Sequence, residues 1–157
     1  MSAHAAYPGV LRQVSLAEAR AASNRPGADT EGTLPDTARS LARAYETDAT
    51  TCWYASPTDT WGTWPYNQSV TQNTYWCRKN GLLSYRSTTI TTGSYFCSSH
   101  DPYEFKVAGG VGYTYVVVHR GAYFNCPTAI PWININVNDW AEWGYDVFPL
   151  WWEVQRD

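Results

Sequence analysis

Residues 68–92 read QSVTQNTYWCRKNGLLSYRSTTITT, and this stretch decides the fold. Val70, Gln72, Thr74 and Trp76 alternate with Thr71, Asn73, Tyr75 and Cys77, which is the period of two expected of a strand with distinct faces. Lys79-Asn80-Gly81 follows, and Asn-Gly favours the tight turn that joins two antiparallel strands. Leu82 to Thr92 then predicts a Thr-rich return strand, because β-branched residues suit a pleated surface.

Downstream the same language continues. Gly109-Gly110-Val111-Gly112 predicts a bend, since so much glycine weakens a strand interior. Tyr113 to His119 predicts a strand, Arg120-Gly121 a turn, and Ala122 to Cys126 the strand after it. Trp132 to Asn138 alternates, with Ile133, Ile135 and Val137 inward and Asn134, Asn136 and Asn138 outward. A last strand is expected over 142–149. About seven short strands without a long intervening helix predict a mainly β fold, an antiparallel β-sandwich or small barrel.

Upstream the composition changes near residue 50. Residues 1–50 hold twelve alanines and no Trp, Cys, Ile or Phe, whereas 51–157 hold all 9 Trp and all 4 Cys. The expected organisation is therefore an N-terminal helical and linker segment, 1–50, and a β-domain, 51–157. Ser15-Leu16-Ala17-Glu18 has capping-box form and predicts a short helix to about Ser23. Residues 24–34 read as a linker, and a second helix is expected over roughly 35–46. Such short helices are marginal alone, so they either dock on the β-domain or belong to a pro-segment or linker.

Net charge is −3 and the six Lys and Arg after residue 50 are scattered, so a nucleic-acid partner, which needs a basic footprint, is rejected. No apolar run approaches the roughly 20 residues of a transmembrane helix. Cys52, Cys77, Cys97 and Cys126 lack metal-ligand spacing. An even count in such a domain predicts two disulfides and an oxidising, extracellular location, secreted or at the cell surface. Three pairings are open, and four buried free thiols are the alternative. Ala3-His4-Ala5 fits a small-residue cleavage site, although no charged or apolar leader precedes it.

From residue 60 onward the chain resembles a group of small exported actinobacterial proteins without assigned function. The resemblance rests on Trp61 to Tyr66, Trp76-Cys77, Asn80-Gly81, Gly109 to Tyr113, Gly121 to Cys126, and Pro131 to Val137. It covers about residues 60–138 and implies the fold and export, with no active site. It also implies the pairing Cys77–Cys126, leaving Cys52–Cys97.

Material for chemistry is sparse. His100-Asp101 could orient a general base, but neighbours on a turn are expected to point apart, and no nucleophile motif accompanies them. His119 is expected to be a packed or half-exposed sheet residue. Asp139, Glu142 and Asp146 match no calcium loop and predict a solvated polar face. No catalytic residue, metal site or cofactor is expected. Aromatic residues are the feature in excess. Trp61, Trp64 and Tyr66 lie in a Gly- and Pro-punctuated loop, and Trp132, Trp140, Trp143, Trp151 and Trp152 crowd the C-terminal region. Planar rings beside amides suit sugar recognition, which selects Trp61, Trp64, Tyr66, Asn134, Asn136 and Trp140 as the candidate ligand-binding set, with Trp61, Trp64 or Trp140 exposed and coplanar. The preferred function is a secreted binding module for glycan or cell-wall polymer. The alternatives are a structural or self-associating surface protein, since Trp and Tyr also anchor protein contacts, and a small secreted enzyme. A membrane interface is a further use of such rings, with Ser87 to Ser94 as the strand to consider.

Overall fold

The computed structural model describes residues 4–5, 9–35 and 49–156. Eleven strands and one helix are present among them: β1 (His4–Ala5), β2 (Leu11–Val14), α1 (Leu16–Ala22), β3 (Asp29–Gly32), β4 (Thr51–Ala55), β5 (Thr58–Trp61), β6 (Gln68–Lys79), β7 (Leu82–Ser94), β8 (Ser98–Gly109), β9 (Tyr115–Pro127), β10 (Asn134–Asp146) and β11 (Trp151–Arg156). They form two antiparallel sheets, one ordered β1-β11-β10-β9-β8, the other β2-β4-β6-β7-β3 with β5 also paired to β6. This is the expected sandwich, and neither sheet closes into a barrel.

The hairpin at 68–92 forms as read. Asn80 and Gly81 both take positive φ, 55° and 72°, the geometry that this turn demands. Val70, Gln72, Thr74 and Trp76 are buried between the sheets, and Tyr75 and Cys77 are buried on the opposite face. That second burial has a cause in the N-terminal chain. Helix α1 lays Ala19 and Ala22 against Cys52, Tyr75, Cys77 and Tyr85, and the Tyr85 hydroxyl donates to the Ala19 carbonyl at 2.9 Å. The helix starts as predicted, with Ser15 Oγ accepting from the Glu18 amide at 3.1 Å. The Glu18 side chain does not reach back to complete the box. It binds Arg12 instead, which holds its carboxyl below the ordinary range.

Several expectations are corrected. Asp29–Gly32, read as linker, is a strand pairing with Tyr85–Thr88 at a sheet edge, where one row of hydrogen bonds suffices and charged side chains are tolerated. Arg120-Gly121, read as a turn, lies inside one continuous strand, β9. A Cβ at Gly121 would come within 2.6 Å of both the Asp139 carbonyl and the Tyr103 hydroxyl, so the glycine serves close approach rather than reversal. Ser98 to Pro102, read as a turn, belongs to β8, whose register shifts between His100 and Tyr103. The strand expected over 142–149 ends with β10 at Asp146, residues 147–150 bend, and a separate strand, β11, follows them. The helix expected over 35–46 lies, beyond Pro35, outside the described residues.

The disulfide pairing implied by the resemblance is also overturned. The bonds are Cys52–Cys77 and Cys97–Cys126. Register explains both: Cys52 faces Cys77 directly across β4 and β6, and Cys97 precedes Ser98, which pairs with Asn125, so it meets Cys126. Each bond staples neighbouring strands.

The main core joins both sheets: Trp53, Trp76 and Leu83 from one, Val116, Val118, Trp143, Tyr145 and Trp151 from the other. Trp76 Nε1 donates across the gap to the Asp146 carbonyl at 3.1 Å. The chain before residue 50 thus supplies edge strands and a covering helix, and the chain after it supplies the sheet interiors.

Candidate functional site

Three loops leave the sandwich at one end. Gln68, at the start of β6, pairs with Ser94 at the end of β7. Ser98, at the start of β8, pairs with Asn125 near the end of β9. Pro127 pairs with Asn134 at the start of β10. Loops 62–67, 95–97 and 128–133 therefore emerge together. Gln68 Nε2 lies 3.1 Å from both Cys97 Sγ and Cys126 Sγ, tying one sheet to the staple of the other at this end.

These loops expose rings. Trp64 is 75% exposed and Trp132 83%, and Tyr66, Tyr95 and Phe96 are exposed with them. Trp64 packs on Tyr95 with centroids 6.0 Å apart, Tyr66 on Phe96 at 5.9 Å, and Tyr95 on Phe96 at 4.9 Å. Ile130, Ile133 and Ile135 are exposed at the same end. The expectation that Ile133 and Ile135 point into the core is corrected. Ile135 has the parity of buried Asp139 and Ala141 on β10 but is 55% exposed, so the inner face of the strand is uncovered at its first residues.

Two of the loops carry backbone bonds within themselves. Thr128 N donates to the Ile133 carbonyl at 3.1 Å, Ile133 N to the Ile130 carbonyl at 3.0 Å, and Tyr66 N to the Thr63 carbonyl at 2.8 Å. Thr128 Oγ1 donates to the Ile133 carbonyl at 2.8 Å.

A second aromatic group covers the outer face of β8, β9 and β10. Phe105, His119 and Trp140 stack across the strands at 4.7 and 4.5 Å, with interplanar angles of 13° and 20°. That separation is close to the spacing of neighbouring strands. Each ring covers its neighbour's face, and both faces of His119 are occupied. His119 Nδ1 lies 3.2 Å from Glu142 Oε1, so His119 is the half-buried sheet residue expected. Trp140 is half-buried, and Asn134 and Asn136 are exposed on the same outer face.

The candidate set thus divides. Trp64 and Tyr66 lie at the loop end. Asn134, Asn136 and Trp140 lie on the outer face of β10. Trp61 is half-buried beneath the Arg156 guanidinium, which sits 4.9 Å from its ring centroid. His100 and Asp101, expected to point apart, do meet: Nδ1 lies 3.0 Å from Oδ2, in an exposed pair. The adjacent Ser99 hydroxyl is bonded to Thr92 at 2.6 Å. Asp139, Glu142 and Asp146 form no common polar face. Asp139 is buried, Glu142 faces His119, and Asp146 Oδ1 accepts from the amides of Phe148 and Leu150 at 2.8 and 3.1 Å.

Charged side chains sit between the sheets instead. Asp59 Oδ2 accepts from Arg120 and from Trp143 Nε1, both at 2.6 Å. Arg120 Nη1 donates to the Pro57 carbonyl at 2.8 Å. Burial pushes the Arg120 guanidinium down to about 10 against the pull of Asp59. Arg86 binds Glu104, and its Nε donates to the Tyr145 hydroxyl at 3.1 Å. Glu104 borders a cleft of about 570 Å³ between the α1–β3 loop, Thr88–Ile90 and Pro102–Tyr103.

Tyr95, Phe96 and Ile130 were missed as contact residues. The signal for them lies in the distribution of charge. Runs 60–77, 87–99 and 121–138 contain no Asp, Glu, Lys or Arg, and these are the runs that build the loop end. No protein-family model, curated protein or solved structure matches the chain.

Proposed function

We propose that this chain is a secreted, non-catalytic binding module that holds an extracellular surface with its loop end. The observation that carries this reading is the convergence of Trp64, Tyr66, Tyr95, Phe96 and Trp132, all exposed, on three uncharged loops. Contiguous exposed apolar surface on a small domain marks an interaction site. Two disulfides support an oxidising compartment. Among the described residues no helix is long and apolar enough to cross a membrane.

Catalysis has less support. The His100–Asp101 pair lies open to solvent, and the hydroxyl of the adjacent Ser99 is bonded to Thr92. A glycan ligand draws its support from Trp64 and Tyr66, with the exposed amides of Asn134 and Asn136 nearby on β10. Trp140 contributes little to that reading, because His119 covers one of its faces.

The test is retention of the protein on cellulose, chitin, peptidoglycan and phosphatidylcholine vesicles, comparing wild type with a Trp64→Ser/Trp132→Ser variant. At least one surface should retain the wild type and release the variant. Equal retention of both, or retention of neither by any of the four, would overturn the reading.

A further inference from the structure

Resting on that reading, we propose that the surface held by the loop end is the interface of a lipid bilayer with uncharged headgroups. The exposed large apolar side chains of these loops include Trp64, Tyr95, Phe96, Ile130, Trp132 and Ile133. Trp and Tyr favour the boundary between headgroups and acyl chains, and Phe and Ile favour the apolar side of it. The exposed aliphatic residues discriminate among ligands. Ile130, Ile133 and Ile135 offer nothing to sugar hydroxyls, yet their burial in acyl chains is favourable.

Polarity is graded along the axis of the sandwich. Behind the apolar tips come hydroxyls and amides that carry no charge: Ser94, Ser98, Thr128 and Asn134. The three runs themselves carry no charge, and the Arg156 guanidinium lies behind the tips, over Trp61 where it pairs with Gln68. A bilayer interface presents the same gradient in reverse.

Pairing of backbone groups within the loops is the second, independent observation. A loop entering an apolar phase must satisfy its own N–H and C=O groups. Loop 128–133 pairs Thr128, Ile130 and Ile133 among themselves, and loop 62–67 pairs Tyr66 with Thr63. The Ser94 hydroxyl caps the Cys97 carbonyl in the third loop. Stapling by Cys97–Cys126 and by Gln68 fixes the loops before contact, so little ordering is required on binding. No cation lies on these loops, and an anionic leaflet would gain no electrostatic attraction from them.

The experiment is sedimentation with phosphatidylcholine vesicles at low salt and at about 1 M NaCl, where exposed charge interactions are screened. Wild type should co-sediment equally at both, and Trp64→Ser/Trp132→Ser should partition about a hundredfold less. Retention on polysaccharide but not on vesicles, lost in the same variant, would overturn the lipid assignment and leave the binding reading standing. Retention only on anionic vesicles, abolished by salt, would also overturn it. Variant-sensitive self-association without vesicle binding would assign the tips to a second copy of the chain. Retention on neither vesicles nor polysaccharide would remove both readings.

Discussion

The middle of the sandwich and its loop end are built from the same aromatic residues used in opposite ways. In the middle, Trp76, Trp143, Tyr145 and Trp151 are buried, Trp76 and Trp143 give their indole N–H groups to the Asp146 carbonyl and Asp59, and two arginines are locked among them. At the loop end Trp64 and Trp132 face solvent and no charged side chain lies on the loops. The lesson is that an aromatic ring stabilises this fold where a sheet, a helix or a neighbouring ring covers it. Beyond that cover the same ring is contact surface.

The comparison can be broken most sharply in the middle. Asp59→Ala leaves Arg120 buried without its carboxylate and Trp143 without its acceptor, and should cost about 3–5 kcal/mol. Urea denaturation measures it, and a loss no greater than that of an exposed substitution would mean that the lock carries no stability. Removing the staple of the loop end, Cys97→Ala with Cys126→Ala, should cost about 2–4 kcal/mol, seen in the same titration. Reduced vesicle retention in the still-folded variant would show that the staple also presets the loops. Gly121→Ala forces a methyl against the Asp139 carbonyl and the Tyr103 hydroxyl and should cost about 1–3 kcal/mol. A neutral result would mean that the outer face yields there. The smallest effect belongs to the tips: Trp64→Ser and Trp132→Ser should each change stability by no more than about 0.5 kcal/mol. A larger loss would place these rings in the core and erase the contrast.

How much of this was legible in the sequence depends on the range of the interaction. The 68–92 hairpin could be read because alternation and Asn-Gly are local signals. Helix α1 could be read from its cap, although its docking on Tyr75 and Tyr85 could not. Gly121 misled because a glycine that admits Tyr103 looks in sequence like a glycine that turns a chain. Ile133 and Ile135 misled because alternation assigns a face without saying whether another sheet covers it. The pairing of the cysteines follows from strand register, which depends on partners 25 and 29 residues apart. Of the candidate binding residues, loop punctuation found Trp64 and Tyr66. It also selected Trp61, which lies half-buried beneath Arg156. Tyr95 and Phe96 were passed over because a two-residue turn beside a cysteine carries no periodicity, and only the absence of charge around them marked the place.

The most direct test of the division between core and contact surface follows the Trp64→Ser/Trp132→Ser variant in a single preparation, reading its urea midpoint and its retention on phosphatidylcholine vesicles and insoluble polysaccharide. The expected result is an unfolding midpoint like that of wild type together with lost retention. Retention equal to wild type, or a midpoint lowered as far as by Asp59→Ala, would contradict it.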